Sequence, residues 1–324
     1  MQSVKEKAAA LLSAGTVDRV LGWKAGEFFY DLTPAVFSEA AQVERDFVYS
    51  VFSGANLSKY LIAESRRDGR IAVFVKPCDS YSLVQLLKEH RIVREKVYIV
   101  GVQCDGMCDM EAFRARNIVG VTSVREEGDT LAAETLYGTV RVARQEVLLE
   151  KCRHCKSKRI VLFDELLGEQ GEVLDSDRFA EVERLEHMTP EERFSFWQGA
   201  LSRCIRCNAC RNVCPACSCE KCVFDNPDSG VQNKAAADRF EENLFHIIRA
   251  FHVASRCTDC GECSRVCPQH IPLHLLNRKF IKDINTFYGE YQAGSDFESR
   301  PPLYDFRKDD CEPSAVSAKG GANA

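Results

Sequence analysis

Two segments of the chain carry four cysteines at one spacing: Cys204, Cys207, Cys210 and Cys214 before Pro215, and Cys257, Cys260, Cys263 and Cys267 before Pro268. This C-x2-C-x2-C-x3-C-P run is the bacterial iron–sulfur pattern in which the fourth cysteine ligates the other cluster of a pair. Three cysteines two residues apart wrap a tight turn that aims three thiolates inward, and the proline turns the chain away. Two copies in register make an accident of composition negligible. The spacing predicts one [4Fe–4S] cluster on Cys204, Cys207, Cys210 and Cys267 and a second on Cys257, Cys260, Cys263 and Cys214. Arg203, Arg206, Arg211, Arg256 and Arg265 stand beside these ligands in sequence, where positive charge would favour the reduced state of an anionic cluster. Zinc is the rival occupant of four-cysteine sites, but a zinc ribbon uses two isolated C-x2-C pairs and has no use for the third cysteine and the proline. A c-type haem does not fit, because C-x2-C-H occurs nowhere and Lys156 follows Cys152 and Cys155.

A third set is spread more widely: Cys78 in VKPCD, Cys104 in VGVQC, and Cys152 with Cys155 in KCRHC. Two residues from strand ends and two from a local turn suffice to close a tetrahedral or cubane site, and a third [4Fe–4S] cluster is the expectation. The other reading makes Cys78 and Cys104 ordinary buried small residues and Cys152 with Cys155 a redox or zinc pair. Cys108 is a spare. Cys217, Cys219 and Cys222 fit either a further metal, completed by Cys108 or Cys311, or packing beside the clusters. The histidines show no H-x3-H pairing, so His90, His187, His246 and His252 read as surface or core residues.

The elements that must position these ligands follow from periodicity. Arg70 to Lys76 is a short β-branched apolar run, Ser80 to His90 has helical spacing of Leu83, Leu86 and Leu87, and Val97 to Val102 is a second apolar run. Strand, helix, strand is a βαβ unit with parallel strands, whose carboxyl ends collect ligands. Cys78 and Cys104 each lie just past one strand, so a single sheet edge can present both. Further on, Phe240, Leu244, Ile247 and Phe251 recur at helical spacing, with Asp238 and Glu241 as a capping pair, and this helix runs into Cys257. The fold expected is an α/β N-terminal domain with a parallel βαβ core (residues 1–190), followed by an α-helical dicluster ferredoxin domain (191–292) and an extended or disordered tail (293–324). The charged segment from Gly168 to Arg193 supplies the connection.

Composition narrows the function. The chain has 324 residues, 17 of them cysteine, and a net charge of −5. That charge argues against nucleic acid as the main partner. No stretch is long and apolar enough for a transmembrane helix, and the N-terminus lacks a signal-peptide pattern, so the expectation is a cytoplasmic protein whose cysteines bind metal rather than form disulfides. No dinucleotide fingerprint, P-loop or nucleophile elbow is found, nor a convincing carboxylate pair or Ser/His/Asp set.

The VKPCD, VGVQC and KCRHC segments resemble the β-subunit family of deazaflavin-reducing hydrogenases and formate dehydrogenases, in which corresponding cysteines hold a cluster. RCTDCGECSRVCPQHIPLHLL, within residues 200–280, is similar to the helical ferredoxin domains of heterodisulfide reductase and fumarate reductase iron–sulfur subunits. The order of the two parts resembles the β-subunit of cytosolic sulfhydrogenases and iron–sulfur subunits of heterodisulfide reductase-linked complexes of anaerobes. The resemblance implies an electron-transfer subunit of a cytosolic anaerobic oxidoreductase, relaying electrons between a flavin- or ferredoxin-type partner and a catalytic subunit. The deazaflavin family also carries FAD and usually an N-terminal ferredoxin module, whereas this chain has no flavin-binding glycine segment and no cysteine before Cys78. The alternative is an FAD-containing subunit that reduces a deazaflavin or nicotinamide coenzyme. A zinc-binding scaffold is a third reading.

Overall fold

The computed structural model describes residues 3–226 and 239–304. These fall into two compact units. The first runs through Ser176 apart from Val84–Lys88, and the second comprises that segment and the chain from Asp177 onward.

The first unit holds a five-stranded mixed sheet. Helix α1 (Val4–Ser13) opens with a capping box between Ser3 and Glu6 and is followed by β1 (Arg19–Ala25) and β2 (Leu32–Phe37), an antiparallel pair. Helices α2 (Ala40–Asp46) and α3 (Leu61–Glu64) lead to β3 (Ile71–Val75) and then to α4 (Pro77–Lys88). Strand β4 (Val97–Val102) pairs in parallel with β3, and β8 (Glu165–Leu167) in parallel with β4. Every residue of β3 is buried, as expected of a parallel strand covered on both faces. The βαβ unit expected from residues 70–102 is therefore present, with β1 parallel to β3 on its other side.

Between β4 and β8 the chain makes α5 (Met110–Arg114) and a three-stranded antiparallel meander, β5 (Val121–Glu127), β6 (Thr130–Thr135) and β7 (Gly138–Ala143). It then forms the single turn α6 (Glu150–Arg153). The meander has no signature in the sequence, since β5 and β7 are largely exposed and rich in Thr, Arg and Glu. Its faces are held instead by cross-strand ion pairs, Arg125 with Glu134 and Arg141 with Glu127.

The second unit is helical: α7 (Ala180–Glu186), α8 (Pro190–Leu201), α9 (Ala209–Val213), α10 (Arg239–His252), α11 (Glu262–Arg265) and α12 (Leu273–Tyr288). Helix α8 starts with Pro190 behind a Thr189–Glu192 capping box. Among the described residues no helix is long and apolar enough to cross a membrane. Residues 294–304 form only the 3-10 turn Pro302–Tyr304, and Ser299 accepts from Lys88 Nζ at 2.5 Å. Asp238 and the tail from residue 305, Cys311 included, lie outside the described residues.

The α10 helix forms where its periodicity predicts, but its buried face is a different one. Phe240, Ile247 and Phe251 are exposed, while Glu242, Phe245, His246, Arg249, Ala250 and Val253 are buried. The face turned inward carries charge beside Phe245 and Ala250, because part of it meets cysteines.

Candidate metal centres

The two cysteine runs of the second unit repeat one backbone course. Cys204 and Cys207 lie between α8 and α9, Cys210 within α9 and Cys214 at its C-terminus. Cys257 and Cys260 lie between α10 and α11, Cys263 within α11, and Cys267 beyond it. The residue before the second cysteine is left-handed in both runs, Arg206 at φ 53° and Asp259 at φ 56°. So is the residue after it, Asn208 at 60° and Gly261 at 68°. Equivalent backbone bonds follow: Arg211 N–H donates to Asn208 O as Ser264 N–H does to Gly261 O, and Cys214 N–H to Arg211 O as Cys267 N–H does to Ser264 O. Such a turn exposes N–H groups toward sulfur, as in Arg206 N–H to Cys204 Sγ at 3.4 Å. Non-glycine left-handed residues are strained, and here ion pairs hold them: Arg206 with Glu242 and Asp259 with Arg278, each at 2.8 Å.

The thiols themselves are gathered in two groups. Cys210 feels the charges of Cys267, Cys207 and Cys214, while Cys257 and Cys263 both feel Cys214 and Cys260. Cys204, Cys210, Cys263 and Cys267 share one packed cluster with Leu201, Ile271 and Leu273; Cys214, Cys217 and Cys257 share another with Val253. Burial pushes the Cys204 thiol up to about 11 and, despite Arg249, the Cys263 thiol up to about 12. Among the described residues no cysteine is in a disulfide. Crowded, unoxidised thiols held neutral by burial are what a metal must deprotonate on binding. The donor set is all sulfur, which suits iron–sulfur clusters.

In the first unit the chain assembles a further thiol group at the carboxyl edge of the parallel strands. Cys78 lies in the first turn of α4, just past β3. That turn is fixed from below: Lys76, 1% exposed, pairs with Asp79 at 2.7 Å, donates to Ala55 O at 2.9 Å and covers the Trp23 ring. Cys104 follows β4 in a loop stitched to the chain before α6, with Asp109 N–H donating to Val147 O and Leu149 N–H to Met107 O, both at 2.8 Å. That stitch delivers Cys152, whose Sγ accepts from Met107 N–H at 3.4 Å. Gly106 makes the approach feasible: its φ is 108°, and a Cβ would sit 2.6 Å from Leu148 Cδ2.

The charges of Cys104 act on Cys78, of Cys152 on Cys104, and of Cys155 on Cys152. Burial raises all three of the affected thiols, Cys104 to about 11, while Lys76, Lys151 and Lys158 pull in the other direction. Cys108 is also buried, its N–H bonded to Val51 O at 2.7 Å and its thiol pushed up to about 12 by burial.

Sequence reasoning missed three residues on α10. Glu242 and His246 lie with Cys204 so that one donor atom from each falls within 4.8 Å of the others. Among the described residues neither ring nitrogen of the buried His246 has a hydrogen-bond partner. Arg249 Nη2 donates to Cys210 O at 3.0 Å. The signal that could have found them is their i, i+4, i+7 spacing on one face. By contrast, three of the arginines beside the cysteines in sequence are engaged by carboxylates: Arg206 by Glu242, Arg211 by Asp225 and Arg265 by Glu262. Of the spare cysteines, Cys217 packs against Cys214 and Cys257, Cys222 lies beside Arg211, and Cys219 is exposed.

Residues 200–271 match the 4Fe–4S dicluster domain family. Over nearly the whole chain the match is to F420-dependent formate dehydrogenase subunit beta of Methanocaldococcus jannaschii, 25% identical over 356 aligned positions and covering 92% of both chains. The chain is thus similar to β-subunits of this kind over nearly its whole length and to a dicluster iron–sulfur domain within it. A second such β-subunit, from the F420-dependent formate dehydrogenase 1 of Methanococcus maripaludis, is 25% identical and covers 90% of both chains. The F420-reducing [NiFe] hydrogenase complex of Methanosarcina barkeri contains a chain with a TM-score of 0.36 and 15% identity, covering 46% of this chain and 57% of that one.

Proposed function

We propose that the chain is the electron-transfer iron–sulfur subunit of an oxidoreductase complex of the formate dehydrogenase, hydrogenase or heterodisulfide reductase kind. On this reading it relays single electrons between a flavin- or ferredoxin-type partner and a catalytic subunit. The observation that carries it is the meeting of the two cysteine runs, with Cys267 acting on Cys210 and Cys214 on Cys257. This supports the crossed assignment of Cys204, Cys207, Cys210 and Cys267 to one cluster and Cys257, Cys260, Cys263 and Cys214 to the other. Clusters held there supply one-electron couples. The residues around them hold ligands in place and donate hydrogen bonds to sulfur: Arg206 N–H to Cys204, and Asn277 Nδ2 to Cys263 at 3.7 Å.

A third cluster on Cys78, Cys104, Cys152 and Cys155 extends the relay into the first unit. Anaerobic isolation of the native complex, with iron, zinc and flavin counts, tests the whole reading. About twelve irons per chain are expected, about eight if the third site is not filled, and fewer than about six removes the two-cluster reading. Replacing Cys214 by Ser should perturb the cluster built on Cys257, Cys260 and Cys263. A spectroscopic loss that maps to the Cys204, Cys207 and Cys210 cluster overturns the crossed assignment.

One observation favours a second reading, a subunit that binds FAD and reduces a deazaflavin or nicotinamide coenzyme. A cavity of about 600 Å³ opens where β4 and β8 end, lined by Tyr49, Val102, Gln103, Asp105 and Gly168. Its size is that of small-molecule sites, roughly 300–1,000 Å³. The half-buried Tyr49 on its wall lies in the field of Cys104 and Cys78. Flavin retained after gentle isolation decides for this reading, and the β-subunit relatives named F420-dependent make deazaflavin the coenzyme to try first.

A further inference from the structure

Arg249 is 3% exposed, and among the described residues its guanidinium makes one hydrogen bond, Nη2 to Cys210 O at 3.0 Å. Its Nε has no partner, and among the described residues no carboxylate pairs with it. A permanent cation so placed is costly unless an anion compensates it. The acid nearest on the same helix face, Glu242, is already engaged by Arg206 at 2.8 Å. His246, one turn away, offers no negative charge; burial, with Arg249 and Arg206 beside it, pushes its imidazole down to about 3. The groups within electrostatic reach of Arg249 are cysteine sulfurs. Its charge acts on the thiols of Cys210 and Cys263, and the sulfurs of Cys214 and Cys217 act on it in turn. Cys210 belongs to one ligand set and Cys214 and Cys263 to the other.

We propose that Arg249 is the shared counter-cation of both clusters, held between the Cys210 and the Cys214–Cys263 ligand sets so that it favours the reduced state of each. This rests on the two-cluster reading above. When a cluster accepts an electron from a partner subunit it gains one negative charge and no bond in the chain forms or breaks; a fixed positive charge nearby stabilises that product. Because one guanidinium serves both sets, the two potentials rise together and the difference between them is left nearly unchanged. Arg249 is thus a positioning residue, acting on electrons it never carries.

The test is a redox titration of the full chain in its native complex, each cluster followed by its own electron paramagnetic resonance signal, with iron counted in every sample. Arg249→Gln keeps a donor for Cys210 O and removes the charge. The expected result is full iron content with both couples lowered, each reduced-to-oxidised ratio falling about tenfold at fixed potential, or about 59 mV for a one-electron couple. Arg249→Lys should keep both ratios within about threefold of the parent. A rise, or a change within about twofold in either cluster, overturns the proposal for Arg249→Gln. If the neutral variant takes up no iron while Arg249→Lys takes up both clusters, the requirement is for charge, as proposed. If neither takes up iron, the residue acts by packing and the proposal falls. A parent chain with too little iron for two clusters instead sinks the underlying reading, so the two failures are distinguishable.

Discussion

Arg206 and Asp259 are counterparts of opposite charge. Each is the left-handed residue before the second cysteine of its run, and each is held by an ion pair of 2.8 Å, with Glu242 and with Arg278. The Asp259–Arg278 pair is almost fully buried, with side chains 3% and 2% exposed. Asp259→Ala would leave Arg278 buried without that carboxylate, which costs about 3–5 kcal/mol when a buried pair is broken. Thermal unfolding of the loaded protein should show the loss, with Asp259→Asn falling between the two. An unchanged transition would contradict that cost, the more so because Arg178, 3.7 Å from Asp259, loses the same carboxylate.

Cys104 separates the third site from the other two. Cys104→Ser should cost about four irons per chain and leave the signals of the clusters at residues 204–267 unaltered. Iron retained at the parent level would remove the third site from the relay.

Gly106→Ala tests how tightly that site depends on its loop. The added methyl meets Leu148 Cδ2, and the positive φ is strained for any side chain, by about 1–3 kcal/mol. Melting temperature and iron content should both fall. Adding Leu148→Ala relieves the clash but not the dihedral strain, so recovery should be partial; full recovery would show that the clash alone mattered.

Asp296 gives a pH dependence. Although its partial burial opposes the shift, bonds from Ser299 N–H and the Ser295 hydroxyl lower its carboxyl to about 2. A folded value below the unfolded one means that the ionised group stabilises the fold above the unfolded value of 3.8 and that this is lost as pH falls toward 2. The stability difference between the parent and Asp296→Asn should therefore be full above about pH 5 and shrink toward pH 2. Acid also removes metal, but from both chains alike, so the difference between their denaturation midpoints is the quantity to follow. A difference that stays constant down to pH 2 would contradict the shift.

The cysteine spacings were legible because ligand geometry within a run is local: three residues of separation set the turn whatever the rest of the chain does. The βαβ unit was legible for the same reason, its strands being short continuous apolar runs. What escaped were features that depend on distant partners. Strand β8 is three residues long and owes its place to pairing with β4, over sixty residues earlier in the chain. The inward face of α10 was misjudged because apolar periodicity assumes a hydrocarbon core, and Arg249 and His246 face sulfur instead. The arginines adjacent to the ligands drew attention by proximity in sequence, yet three of them spend their charge on acids.

The proposed exchange of Cys214 and Cys267 between the two clusters would have a topological effect. A cluster that takes three ligands from one run and one from the other is a cross-link between segments over forty residues apart, and two such clusters make two stitches of the same pair of segments. Once both are made, the intervening chain is a closed loop, and lengthening it costs little, about 0.6 kcal/mol per doubling. Insertions between the runs would thus be tolerated, while the loss of one metal group would leave the other still joining the two segments, and only the loss of both would release them.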